Sequence, residues 1–389
     1  MWSQSTAGVV NKIVLGGDFR TRNNAAGEID NPTNDAATMV FDLNGHTANF
    51  DNAVNAQTTW DITWESSTPG GVFSSDTIGV PAGAVVGADV IVQVNSNGGN
   101  RFDGTWDPST TVRLRSDRTL LRVDFIKGDG IGNIGVGGQA FTQTLRVAET
   151  NSGAPTHNIK GDVTLDTNGI LLFDPNNSQG TKLLVGGNFT DVNTDSAGYG
   201  ADSDDRLIFG LDPASPRTVS IGRTGLGVDI QVGNTIGTAS DGDIVLGADL
   251  STTGTFDVLG GSALDVAEEL LSTGDLTLES GSSLSYTLGS DLGRIDVTGA
   301  VSVGGNLFLD TSGLLTDHNA IVLIDNDGSD AVSGMFANAP PGTTFSTPVG
   351  TYRLVYDFRG NDVALVPEPG TLGVLVLGLG ALARRRIQR

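Results

Sequence analysis

The chain contains no cysteine, which excludes a disulfide framework and any metal site built on thiolates. Histidine is nearly as scarce. His46, His157 and His318 stand more than 100 residues apart, and no nucleophile motif accompanies any of them, so each reads as a turn or surface residue. No HExxH, GxSxG or P-loop pattern occurs. Positive charge is short as well, with 22 Lys and Arg against 45 Asp and Glu and a formal net charge of −23. Residues 240–366 hold 18 acids and three bases, Arg294, Arg353 and Arg359. Phosphate backbones need clustered Lys and Arg, so nucleic acid is excluded as a main partner.

What is present is a core-forming chain rather than an acidic tail. Apolar residues make up 38% of 389 and glycine accounts for 55, enough for a sizeable core in two or three domains. Without disulfides, an extended β structure is the natural source of stability. Segments such as "KIVLGG", "TMVFDLNG", "DVIVQVNSNGG", "VTLDTNG" and "DIVLGADL" alternate apolar and polar residues between Gly, Asn and Asp turns about every ten positions. That is the signature of short strands. One body segment, Asp265 to Gly274 ("DVAEELLSTG"), reads as a helix, because good helix formers from Ala267 to Leu271 are closed by Gly274.

A faint repeat decides between the all-β folds. "NKIVLGGDF" (Asn11 to Phe19) returns as "TKLLVGGNF" (Thr181 to Phe189) and, more loosely, as "VSVGGNLFL" (Val301 to Leu309). Each is an apolar strand, a Gly-Gly corner, an Asn or Asp, and another apolar strand. Units that bury one apolar face on the next stack into solenoids, with Gly and Asn at the corners for their tolerance of positive φ. The expectation is a right-handed parallel β-helix over residues 1–239, a β-rich cap region over 240–366, and a separate tail over 367–389. β-Sandwich domains are the alternative, since they would alternate equally well.

The residues that suggest chemistry have plain structural readings. Gly130, Gly132 and Gly135 have GxGxxG spacing, but a dinucleotide site needs a helix to open there and "QAFTQTLRV" reads as a strand, so a glycine-rich β corner is expected. "TWDITWE" puts Trp60, Ile62 and Trp64 on one strand face and Asp61, Thr63 and Glu65 on the other. Asp61 and Glu65 would lie about 13 Å apart along a strand, too far for a glycosidase pair. An amphipathic strand with aromatic core residues is expected, and a sugar platform is the weaker reading. The Asp-rich turns Asp202 to Asp205 and Asp325 to Asp330 offer oxygen ligands, with Asp325, Asp327 and Asp330 as candidates for a structural calcium ion. Neither follows an EF-hand, so solvated turns are the default.

The end of the chain is different. Pro367 and Pro369 bracket Glu368, a 13-residue run from Thr371 to Ala383 is apolar except for its threonine, and Arg384, Arg385, Arg386 and Arg389 follow. At about 1.5 Å per residue a helix over that run spans roughly 20 Å, short of the ~30 Å hydrocarbon core. The basic flank marks a cytoplasmic side. This order closely resembles the PEP-CTERM sorting signal of Gram-negative bacteria. The resemblance, confined to Pro367–Arg389, implies export, retention in the inner membrane by a short transmembrane helix, processing near Pro367–Glu368–Pro369 by an exosortase, and delivery to the cell surface or extracellular matrix. An ordinary membrane anchor is the alternative. Losing Gly370 to Arg389 would take the charge from −23 to −27. Since "MWSQSTAGVVNKIVLGGDFR" has no n-region and apolar h-region, an exported protein of this kind is expected to begin before Met1.

A second resemblance covers about Gly274 to Val366. The "RIDVTG" rung, the "GMF" corner and the closing "GNDVAL" strand are similar to the last rungs of autotransporter passengers, which implies a β-helical passenger with a capping end. The outer-membrane barrel of alternating strands that would follow in an autotransporter is replaced here by the Pro-Glu-Pro tail. The function expected is a structural or adhesive surface protein, with no catalytic residue and with extracellular polysaccharide as a candidate partner. The alternative is a carbohydrate-active or carbohydrate-binding β-helix with the same tail. Because β-helices also house polysaccharide lyases, spacing alone does not dispose of an enzyme.

Overall fold

The structure is a computed structural model that describes residues 11–21, 39–50, 62–68, 71–75, 85–86, 90–94, 101–102, 105–106, 111–114, 125–126, 133–136, 143–147, 156–159, 161–173, 180–195, 199, 205–210, 216–235, 242–314, 316, 319–327 and 330–368. The described residues form strands and turns with no helix. Thirteen strands stack in chain order into one broad parallel sheet, from Phe19–Thr21 through Phe189–Asp191 to Asn306–Asp310. A second parallel sheet of eight strands runs from Thr156–Ile159 to Ser333–Gly334, and a third of seven begins at Leu250–Ser251. From Asp243 on, each turn leaves one short strand in the broad sheet, passes through the third, and returns through the second, whereas strands from Asn11–Val14 to Thr105–Trp106 alternate with the broad sheet in a separate five-stranded parallel sheet. This is a parallel β-solenoid; the pairing overturns the sandwich alternative.

Strand alternation explains the stacking. In strands such as Asp243–Leu246 and Arg294–Val297 every second side chain is buried, and a single rung cannot cover its own apolar face. Register lines these residues into columns. Ile244, Leu264, Leu284 and Leu307 stack in the broad sheet. Leu183, Leu207, Ile230, Phe256, Leu276 and Val301 stack in the second, and Leu250, Leu271, Ile295 and Ile324 in the third. All are at most 2% exposed. Burying each such side chain is worth about 1.5–3 kcal/mol before chain entropy is counted.

Two of the three sequence echoes occupy one corner, where the second sheet turns into the broad sheet, Val185 to Phe189 and Val303 to Asn306; the first, Val14 to Phe19, leads from a separate five-stranded sheet into the broad sheet. None of the Gly-Gly residues there has positive φ. At Gly187 the reason is space, since a Cβ would come within 2.4 Å of the Gly161 carbonyl carbon one rung below. Acids complete the corners. Asp162 accepts the Asn188 N–H at 2.7 Å, Asp229 the Thr255 N–H at 2.8 Å, and Asp275 the Ala300 N–H at 2.7 Å. Part of the negative charge is therefore built into the rung-to-rung hydrogen bonding.

The helix expected over Asp265 to Gly274 does not form. Ala263–Asp265 and Leu270–Thr273 are strands joined by a tight corner. Asp265 accepts the Ala267 N–H at 2.9 Å, and Ala267 takes the left-handed conformation with φ 54°. Leu264 and Leu271 pair with rungs on both sides. Helix propensity is worth only tenths of a kcal/mol per residue and yields to that burial.

Parallel stacking continues from Arg217–Ile221 to Asp243–Leu246 across residue 240. It ends near the C-terminus. There Ile321–Asn326 pairs antiparallel with Asp362–Pro367, which pairs with Gly350–Phe358, which pairs with Thr344–Thr347. The broad sheet's last strand has its edge met by a side chain: Asn338 accepts the Leu307 N–H and donates to the Leu307 carbonyl, both at 2.8 Å.

Candidate functional site

The Pro367–Glu368–Pro369 segment begins inside the cap. Pro367 ends the strand Asp362–Pro367 opposite Tyr352, and the Glu368 N–H donates to the Thr351 carbonyl at 2.9 Å. Upstream in the same strand Val363, Ala364 and Leu365 are fully buried. Pro369, the apolar run Thr371 to Ala383, and Arg384, Arg385, Arg386 and Arg389 lie outside the described residues. Among the described residues no helix is long and apolar enough to cross a membrane.

The other readings distribute as follows. Trp64 is buried at 1% exposure and stacks on Phe41 at 4.7 Å, a core residue rather than a platform; Trp60 and Asp61 lie outside the described residues. Gly135 sits within the strand Asn133–Val136, paired on both sides, while Gly130 and Gly132 lie outside. His46 faces Asp18 at 3.9 Å, His157 lies in a strand of the second sheet, and His318 is outside. Of the Asp202 to Asp205 turn only Asp205 is described, buried and accepting the Thr181 N–H at 2.8 Å. Asp325 lies in a strand, 3.7 Å from Arg294. Asp327 and Asp330 are exposed, and the Asp330 carbonyl accepts from the Asn326 amide at 2.6 Å. Among the described residues no three His, Asp or Glu converge on a metal position.

A buried polar cluster joins three successive rungs. Arg223, 1% exposed, donates from Nε to Asp191 at 2.7 Å and from Nη2 to the Gly169 carbonyl at 2.6 Å, and also pairs with Asp195. The Tyr199 hydroxyl donates to the same Asp191 oxygen at 3.1 Å; burial, then the Asp191 charge, push that phenol well above its usual range. Every strong group in it is answered from within, so the cluster serves the fold.

The surface feature with recognition chemistry is a groove of about 540 Å³ on the outer face of the broad sheet's last three rungs, lined by Asp265, Ser285, Tyr286, Thr287, Phe308, Leu309 and Asp310. Asp265, Ser285 and Phe308 form one column and Thr287 and Asp310 an adjacent one. Phe308 is 52% exposed. Its exposure follows from "NLFLD": Leu307 faces the core, so the next residue must face out. The alternation in the sequence carries that signal. Asp265 and Asp310 each accept a corner N–H, from Ala267 and Ser312, at 2.9 Å. The Ser312 backbone N–H, then its side chain, hold the Asp310 carboxyl below its usual range. It is thus a hydrogen-bond acceptor at neutral pH, not a proton donor.

A second groove, of about 460 Å³, runs over Gly254, Gly274 and Gly299 with Asp229 and Asp275. Its glycines are required by rung contact, since a Cβ on Gly274 would meet the Thr253 carbonyl oxygen at 2.6 Å. Compared with known families, curated proteins and solved structures, the chain matches none.

Proposed function

We propose that this is an exported structural or adhesive protein of the bacterial surface or extracellular matrix, a right-handed β-helix addressed by its tail. In this reading Pro367, Glu368 and Pro369 are recognised by an exosortase. Thr371 to Ala383 holds the chain in the inner membrane as a short helix, and Arg384, Arg385, Arg386 and Arg389 stay on the cytoplasmic side. The observation that carries the reading is the order of proline-flanked acid, apolar run and arginine cluster, which begins at the last residue of the cap's closing strand.

In the two grooves, Asp229 and Asp275 accept corner hydrogen bonds, and hydrogen bonds from Ser312 hold the Asp310 carboxyl below its usual range, so Asp310 suits binding better than general acid chemistry. The carbohydrate alternative draws its support from the Phe308 groove, as binding rather than turnover.

The test is export behind a signal peptide in a host with and without exosortase, followed by intact mass. The expected product loses the tail, with its four arginines, only where exosortase is present. A full-length product in both hosts would leave an ordinary anchor and end the sorting reading.

A further inference from the structure

From the outer face of the last three rungs we infer a binding site for a neutral polysaccharide, centred on Phe308. Three features point to this ligand class. Phe308 offers an exposed apolar ring, and the C–H face of a pyranose is the flat apolar surface that stacks on such a ring. Asp265 and Asp310 present acceptors beside the ring, and sugar hydroxyls are donors that lack charge. Between them Ser285 and Thr287 carry hydroxyls, which both donate and accept as sugar hydroxyls do.

Charge narrows the class. Among the described residues no Lys or Arg lines the groove, and two carboxylates oppose a uronate or phosphate-bearing chain, in a molecule already at −23. A cationic peptide would answer the carboxylates, but it would use the two intervening hydroxyls only as acceptors, whereas sugar hydroxyls match both their donor and their acceptor sides. The register supplies the length. Asp265, Ser285 and Phe308 repeat along the coil at the strand spacing of about 4.8 Å, so a polymer can lie along the column with one residue against the ring and its neighbours against the polar rungs. The inference deepens the matrix-protein reading, which gives it its setting, by naming what the surface would hold.

The experiment is calorimetric titration of the full chain in mild detergent with cellohexaose and laminarihexaose as neutral probes. Oligogalacturonate serves as the anionic probe and an oligolysine peptide as the cationic one. A neutral oligosaccharide is expected to bind with an affinity indifferent to salt. Phe308→Ala should weaken it about tenfold, the scale of one lost aromatic contact, and Phe308→Trp should retain it. Since Phe308 is half exposed, both variants should melt with the parent, and thermal scans verify this. No binding of either neutral probe, binding unchanged in Phe308→Ala, preference for oligogalacturonate, or oligolysine binding lost in salt would each overturn the inference. These outcomes are independent of the tail, so failure here and failure of sorting are read on different instruments.

Discussion

Between Asn133 and Asn326 the open edge of each rung is covered by the next rung, in parallel, with the acids of the corners accepting N–H groups across the gap. In the cap there is no next rung. The third sheet is finished by antiparallel strands, with Asp362–Pro367 lying between Ile321–Asn326 and Gly350–Phe358, and the broad sheet's edge is met at Leu307 by the side chain of Asn338. The comparison teaches that a solenoid can add rungs at little cost but must be stopped deliberately. An uncovered strand edge is a template for another chain. The cap therefore covers the strand edge that the last rung of the third sheet would leave open, and the coil is where apolar burial accumulates.

The most severe perturbation of the cap is to end the chain at Asn361. That removes the strand Asp362–Pro367, with buried Val363 and Leu365, and exposes the edge of Ile321–Asn326. Two such side chains alone amount to about 3–6 kcal/mol. Size-exclusion chromatography should show oligomers or aggregate in place of monomer. Ending at Glu368 keeps every pair of that strand and should leave the melting transition unmoved. If the two truncations behave alike, the closing role of the cap is wrong.

Within the coil, two arginines sharpen it further. Arg223 and Asp191 are both buried, at 1% and 0% exposure, whereas Arg206 is 30% exposed where it meets Asp229 at 3.4 Å and Asp257 at 3.8 Å. Arg223→Ala strands the Asp191 carboxylate beneath three rungs, and loss of about 3–5 kcal/mol is expected. Arg206→Ala should cost no more than about 1 kcal/mol. Urea melts of both variants measure the gap. Equal losses would mean that the buried cluster is not the bolt its geometry suggests.

The coil was legible in the sequence because its cause is local. Alternation in "DIVLGADL" or "RIDV" requires a half-buried strand, and the "GGDF", "GGNF" and "GGNL" echoes each mark a corner that opens into the broad sheet. Positive φ holds at corner residues Asn44, Asn168, Gly261 and Gly281 but not at the Gly-Gly echoes, where Gly187 is needed because Gly161 of the rung below passes too close for a side chain. Asp265 to Gly274 was misread for the same reason, since its helix formers are overruled by pairing partners far along the chain. Arg223 and Asp191 carried no signal at all: 32 residues separate them, and neither spacing nor motif announces a buried ion pair. Of the groove, Phe308 was readable from alternation alone, but its companions Asp265 and Ser285 come from other rungs and meet it only through register.

The finest distinction concerns two carboxylates on outer faces. Burial, working against the nearby Arg206 guanidinium, raises the Asp257 pKa above its usual value of 3.8, so the native state binds this proton more tightly than the unfolded chain does. Its contribution to stability is full at pH below 3.8 and is lost as pH rises through the raised folded value. Asp310 is the reverse. Hydrogen bonds from Ser312 lower its pKa below 3.8, and its contribution is present above that pH and lost as pH falls through the depressed folded value. At pH 7 Asp257→Asn should therefore raise the melting temperature slightly, by less than about 1 kcal/mol of stability, while Asp310→Asn should lower it. For Asp257→Asn the offset should shrink as acid restores the parent's proton. Melting scans from pH 7 to pH 3 on the two variants read this directly. Shifts of the same sign at pH 7 would show that the corner hydrogen bond of one and the burial of the other do not govern their charge.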